Sequence, residues 1–129
     1  MEVIGGPDLR IAIQVFMRYG IGDPYAVHLD IHTSPGGPVT WFFARDLLLA
    51  GLHRRSGLGD VVVDPGTGHS AGHLSISLTG VDATAALRVS AAAIRRFLQQ
   101  TEHVVPAGTE GEHLDIDAFI NQLLGHSAA

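Results

Sequence analysis

The sequence predicts an α+β fold: an antiparallel sheet bent around one core, with the main helices arriving late in the chain. Three observations carry that expectation. Apolar and polar residues alternate in several separate runs up to Val89, the two-residue period of half-buried strands. The period then lengthens at Ser90, a good helix N-cap with Val89 and Ile94 spaced as a hydrophobic staple. Finally, residues 39–52 hold the only tryptophan, Trp41, and two of the five phenylalanines, Phe42 and Phe43, concentrating the aromatic area available to a core.

That aromatic stretch reads as a strand running into a short helix, with Leu47, Leu48 and Leu52 behind the polar pair Arg45-Asp46. Val39, Trp41 and Phe43 would point one way, Phe42 and Ala44 the other. Both faces are apolar, so each is expected to need a cover, either the chain's own helices or a second copy. Truncating a fully buried tryptophan costs about 3–5 kcal/mol, so Trp41→Ala is expected to approach unfolding.

Residues 9–19 alternate throughout, with Leu9, Ile11, Ile13, Val15, Met17 and Tyr19 on one side and Arg10, Gln14 and Arg18 on the other. One long strand is expected. Gly20, Gly22 and Asp23-Pro24 supply a turn into a second strand, where Val27, Leu29 and Ile31 alternate with His28, Asp30 and His32. The Pro- and Gly-rich connector 34–38 makes an antiparallel hairpin with the aromatic strand. Further strands are expected over 60–64, 73–79 and 83–89. A helix from Ser90 to about His103 would bury Ala91, Ile94 and Leu98, with Phe97 a further candidate for its inward side. A loop from Pro106 to His113 then leads to a last helix, capped by Asp115 and burying Ile116, Phe119, Ile120, Leu123 and Leu124.

At 129 residues a single domain over residues 1–129 is expected, large enough to fold without disulfides or structural metal. The chain contains no cysteine and no signal-like start or long apolar run, so a cytoplasmic protein is expected. The formal charge is −5 and all eight basic residues are arginine. That balance opposes nonspecific binding of nucleic acid or anionic lipid.

Three motifs invite chemistry. Gly68-His69-Ser70-Ala71-Gly72 fits a nucleophile elbow in outline, but strand-like alternation rather than a helix comes after it, so a turn is the better reading. The same absence disqualifies Gly66, Gly68 and Ala71 as a dinucleotide loop. His28, Asp30 and His32 share a strand face and could ligate a divalent metal, yet no fourth ligand is evident, and a solvated face is preferred. Arg54-Arg55 and Arg95-Arg96 could meet phosphates, but the net charge favours solvated arginines or an acidic protein partner. No catalytic set, cofactor or metal is expected.

Several stretches in one order resemble the SsgA-like proteins, sporulation and cell-division regulators of filamentous actinobacteria. They are Arg18-Tyr19, Asp23-Pro24-Tyr25-Ala26-Val27-His28, His32-Thr33, Trp41 to Leu48, Gly51-Leu52-His53, Gly59-Asp60-Val61 and Val105-Pro106-Ala107-Gly108-Thr109-Glu110. The resemblance implies a curved, barrel-like antiparallel sheet of about six to seven strands with two or three helices, similar to the Whirly class, and a homotrimer. It implies no enzyme. It implies instead a cytoplasmic adaptor at division septa that recruits or positions the tubulin-like protein FtsZ or a paralogous regulator. Ahead of Arg18 the chain is shorter than the family pattern, so an initial strand is expected to be missing or reduced to residues 1–4.

Because contact hot spots favour aromatic residues and arginine, Phe42, Arg54 and Arg55 are the partner-binding candidates. The plainer alternative puts Phe42 in the core and leaves the arginines as loop charges. Two other functions remain to be weighed: a single-stranded nucleic-acid binder on the Whirly-like scaffold, and a serine hydrolase built on Ser70.

Overall fold

The computed structural model describes residues 2–5, 9–32, 37, 39–68, 71–81 and 84–113. Eight strands are found among these residues: β1 (Glu2–Gly5), β2 (Leu9–Ala12), β3 (Gln14–Arg18), β4 (Ala26–His32), β5 (Val39–Ala44), β6 (Val61–Pro65), β7 (His73–Thr79) and β8 (Thr84–Ser90). Two α-helices accompany them, α1 (Arg45–Gly51) and α2 (Ala91–Val104), with a 3-10 turn at Glu110–His113. The expected helix after Asp115 and the turn residues His69 and Ser70 lie outside the described residues.

The strands form two antiparallel sheets, one ordered β2-β1-β8-β7-β6 and the other β3-β4-β5. This corrects the expectation of one barrel-like sheet of six to seven strands. Among the described residues no ladder joins β5 to β6, and the sheets do not close. The expected single strand over 9–19 is also divided. Its backbone pairs with β1 up to Ala12, and from Gln14 it pairs with β4. Ile13 is the point of transfer, and alternation continues through it, which is why periodicity alone shows one strand.

The N-terminal strand is short but present. β1 lies between β2 and β8 and is hydrogen-bonded to both.

The core lies where inward residues of both sheets meet. Val27 and Leu29 from β4, Val63 from β6, Ile76 from β7 and Leu87 from β8 are all buried. Leu48 of α1 and Ile94 and Leu98 of α2 join the same cluster. Trp41 is only half-buried at the margin of that cluster, so its truncation should cost less than the roughly 3–5 kcal/mol of a fully buried ring. Helix α1 reaches β6 at Gly51, where a Cβ would stand 2.1 Å from Cγ1 of Val63. Helix α2 starts as expected, the Ser90 hydroxyl accepting the Ala93 N–H at 3.2 Å, with Ile94 and Val89 both buried.

A buried arginine ties these parts together. Arg45, the first residue of α1, is 4% exposed. Its guanidinium donates to the carbonyls of Thr101 (3.2 Å) and Val105 (2.6 Å), where α2 ends, and pairs with Glu110. The Tyr19 ring lies under the same group, 4.9 Å from ring centre to guanidinium carbon, and its hydroxyl donates to the Pro24 carbonyl at 2.6 Å. Glu110 also accepts the Gly108 N–H at 2.9 Å. The Arg45 bond, then backbone hydrogen bonds, hold the Glu110 carboxyl below its usual range. The stability from this ionisation is therefore present above the ordinary carboxylate range and lost as pH falls below it.

Replacing Arg45 with leucine strands the Glu110 charge and the Val105 carbonyl, while the Thr101 carbonyl keeps the Val105 N–H at 2.8 Å. A loss of about 3–5 kcal/mol is expected, as for one partner removed from a buried pair. Removing the exposed Arg55 should change stability by no more than about 1 kcal/mol. Parallel urea melts of Arg45→Leu and Arg55→Ala check this order; equal midpoints would refute it.

Candidate protein-contact face

The three-stranded sheet has one dry face and one wet face, and the wet face is the candidate site. Along β4 the inward residues are Val27, Leu29 and Ile31, so parity sends His28, Asp30 and His32 outward. Register aligns Arg18, His28 and Phe42 across the three strands, and likewise Phe16, Asp30 and Thr40. Both phenylalanines are largely exposed, Phe16 at 50% and Phe42 at 60%.

Asp30 organises the polar centre of this face. Arg18 approaches its carboxylate with two nitrogens, the longer contact being 3.0 Å, and the Thr40 hydroxyl donates to it at 2.6 Å. Fork-to-fork pairing of this kind fixes direction as well as charge. The aromatic rings are held at either side. Phe16 meets His32 edge to face at 5.3 Å, and Phe42 meets His28 edge to face at 4.6 Å. The outer nitrogen of His28 stands 3.4 Å from Asp23. Each exposed ring is thus supported by a neighbouring side chain, which lowers the entropy a partner must remove on binding.

This arrangement bears directly on the motifs. The side chains of His28, Asp30 and His32 do share a face, but the carboxylate is committed to Arg18 and Thr40, and the imidazoles pack on aromatic rings. No cluster of three metal-ligating side chains occurs among the described residues. His73 faces Arg88 across 3.2 Å, and the glycine turn before it leads into β7 rather than into a helix.

Phe42 is therefore not core: its ring is 60% exposed, so among the described residues the chain's own helices do not supply the cover expected for this side of the strand. Arg54 and Arg55 are exposed on the loop beyond α1, where Arg55 pairs with Asp64 at 3.0 Å. The ring of Phe42 packs against His28 instead of joining them. Phe16 is the residue that sequence reasoning missed; it occupies an outward position of the same alternating run that placed Gln14 and Arg18. A cleft of about 770 Å³ adjoins the face at Arg18 and His28 and runs towards Phe97 and Val104 of α2.

Comparison with known proteins supplies the family. Residues 13–110 match the family model described as Streptomyces sporulation and cell division protein, SsgA. The chain belongs to the SsgA family. The sporulation-specific cell division protein SsgB of Streptomyces coelicolor is 39% identical over 127 residues, covering 98% of this chain and 93% of its own. The SsgB of Salinispora tropica is 39% identical over 126 residues, 96% and 88% of the two chains. A solved structure from work relating SsgB mutations to longitudinal cell division in Streptomyces coelicolor superposes with a TM-score of 0.81 at 40% identity, covering 88% and 89%. An SsgA-like sporulation-specific cell division protein from Thermobifida fusca superposes with a TM-score of 0.82 at 32% identity, covering 94% and 88%.

The SsgA-family match starts at Ile13, where the chain changes sheets, and ends at Glu110, the partner of Arg45. No helix among the described residues is long and apolar enough to cross a membrane.

The face carries its own pH signature. Arg18 first, then Thr40, lowers the Asp30 carboxyl from 3.8 to about 2. A lowered folded value means that the stabilisation is present above 3.8 and disappears as pH falls towards about 2. Melting temperatures of the wild type should drop across that interval, with a shallower drop for Asp30→Asn. Identical pH profiles would show that the Arg18–Asp30 pair does not form.

Proposed function

We propose that this chain is a noncatalytic adaptor of sporulation-specific cell division, acting at the septum through protein contacts. Its partner is FtsZ or a paralogous regulator, which it recruits or positions, and it assembles as a homotrimer. The observation that carries this reading is the wet face of β3-β4-β5. It presents Phe16 and Phe42 at either side of the fixed Arg18–Asp30–Thr40 network, the mixture of aromatic anchor and ordered polar contact found at protein hot spots. The relatives named as sporulation-specific cell division proteins agree with it.

Arg54 and Arg55 remain candidates for a second contact, separate from this face. The alternative, single-stranded nucleic-acid binding on a Whirly-like scaffold, would use the same exposed rings to stack bases. The cation in this network, Arg18, is committed to Asp30, and the chain carries a charge of −5, so protein is preferred.

Cosedimentation with polymerised FtsZ tests the reading. The double variant Phe16→Ser, Phe42→Ser should lose about tenfold or more in affinity, as expected for hot-spot truncation, with far-ultraviolet circular dichroism unchanged. Arg54→Ser with Arg55→Ser tests the second contact in the same assay. Salt-dependent oligonucleotide binding without cosedimentation would replace the adaptor by the alternative.

A further inference from the structure

The backbone of β5 offers a contact distinct from its side chains. The Arg45 N–H donates to the Tyr25 carbonyl at 2.8 Å, extending the β4–β5 ladder in which Val27 pairs with Phe43 and Leu29 with Trp41. Antiparallel bonding alternates along a strand. Odd-numbered residues of β5 therefore bond to β4, and the N–H groups of Thr40, Phe42 and Ala44 point out of the opposite edge.

That edge opens into a cleft of about 510 Å³, bounded on the far side by the loop from Gly57 to Asp60. The nearby β6 is treated differently. Its Val63 exchanges both backbone hydrogen bonds with Ser56, at 2.8 and 2.9 Å, so the loop closes that edge. Unpaired sheet edges are templates for another strand, and proteins commonly blunt them. Here one edge is blunted, and among the described residues no strand pairs with the edge beside it, which faces the cleft. Val39, at the start of β5, is 54% exposed; in the cleft lining Leu58 is fully exposed and Asp60 is the charged residue.

We propose that the β5 edge is a strand-docking site for an extended segment of a partner protein, apolar at alternate positions and carrying one basic residue to meet Asp60. Main-chain bonds to Thr40, Phe42 and Ala44 supply the register, and the cleft between β5 and the loop takes alternate side chains, the general mode of β-strand addition. The occupant is extended because the donors recur every second residue, a spacing that a helix cannot match. The site rests on the adaptor reading only in that both require a protein partner; it adds a contact on the sheet edge, separate from the one on the aromatic face.

The probe is an acetylated and amidated hexapeptide with valine and threonine alternating behind one lysine, used at concentrations on the order of a millimolar. Amide hydrogen exchange is measured residue by residue by NMR. The peptide should slow exchange at Thr40, Phe42 and Ala44 by about tenfold or more, while the same peptide with a central proline should not. Phe42→Pro removes an outward N–H that the β4 ladder does not use, a position where edge strands accept proline. It should abolish the effect at Thr40 and Ala44, whereas Phe42→Ala should preserve it.

Unchanged exchange in the wild-type protein overturns the proposal, as does equal protection in a folded Phe42→Pro variant. Protection that rises with protein concentration in the absence of peptide, together with a larger mass by light scattering, assigns the edge to a second copy and also overturns it. Cosedimentation with FtsZ that depends on Phe16 while these three amides stay unprotected sinks the edge and leaves the adaptor reading standing.

Discussion

The structure depends on a charge held where water barely reaches. Arg45 lies at the start of a seven-residue helix too short to be stable alone, and its guanidinium closes the end of α2 through the Thr101 and Val105 carbonyls. Carbonyls at a helix end run short of backbone donors. Here a side chain from 60 residues earlier meets the Val105 carbonyl. The same group adds a second donor to the Thr101 carbonyl, which already accepts the Val105 N–H. Glu110 neutralises the charge and Tyr19 covers it with a ring face. Desolvating an arginine is worthwhile only when its donors are met, and carbonyls, carboxylate and ring together do this.

The same node accounts for how the family's stretches converge in space. Arg18-Tyr19, Asp23-Pro24-Tyr25, Ala44-Arg45-Asp46 and Val105 to Glu110 are scattered along the sequence, yet Tyr19, Pro24, Tyr25, Arg45, Val105 and Glu110 are joined by hydrogen bonds or ring contact. Arg18 then extends outward from this group to Asp30. The contact face is thus continuous with the buried network: Arg18, the last residue of β3, turns to the surface, and Tyr19 directly after it turns towards the core.

Much of this was legible in the residues. Two-residue alternation placed Val27, Leu29 and Ile31 inside and His28, Asp30 and His32 outside, and the Ser90 cap marked the start of α2. Alternation could not show that the strand changes sheets at Ile13, because side-chain parity survives a change of hydrogen-bonding partner. Nor could it decide the exposure of Phe42, since an apolar residue on the second face of a strand has the same sequence signature whether covered or not. Arg45 read as a polar helix start; its burial comes from Glu110 and two carbonyls brought together by tertiary structure. Phe16 is outward by parity with Gln14 and Arg18, but an apolar side chain carries no mark of exposure in the sequence itself.

The transfer at Ile13 has a mechanical consequence. No loop separates β2 from β3, so tension applied to the outer face passes along covalent bonds from the smaller sheet into the larger one. A joint made only of apolar contacts would let the sheets shear apart under load. Here separating them requires peeling the ladder to β1 or the ladder to β4, one hydrogen bond at a time.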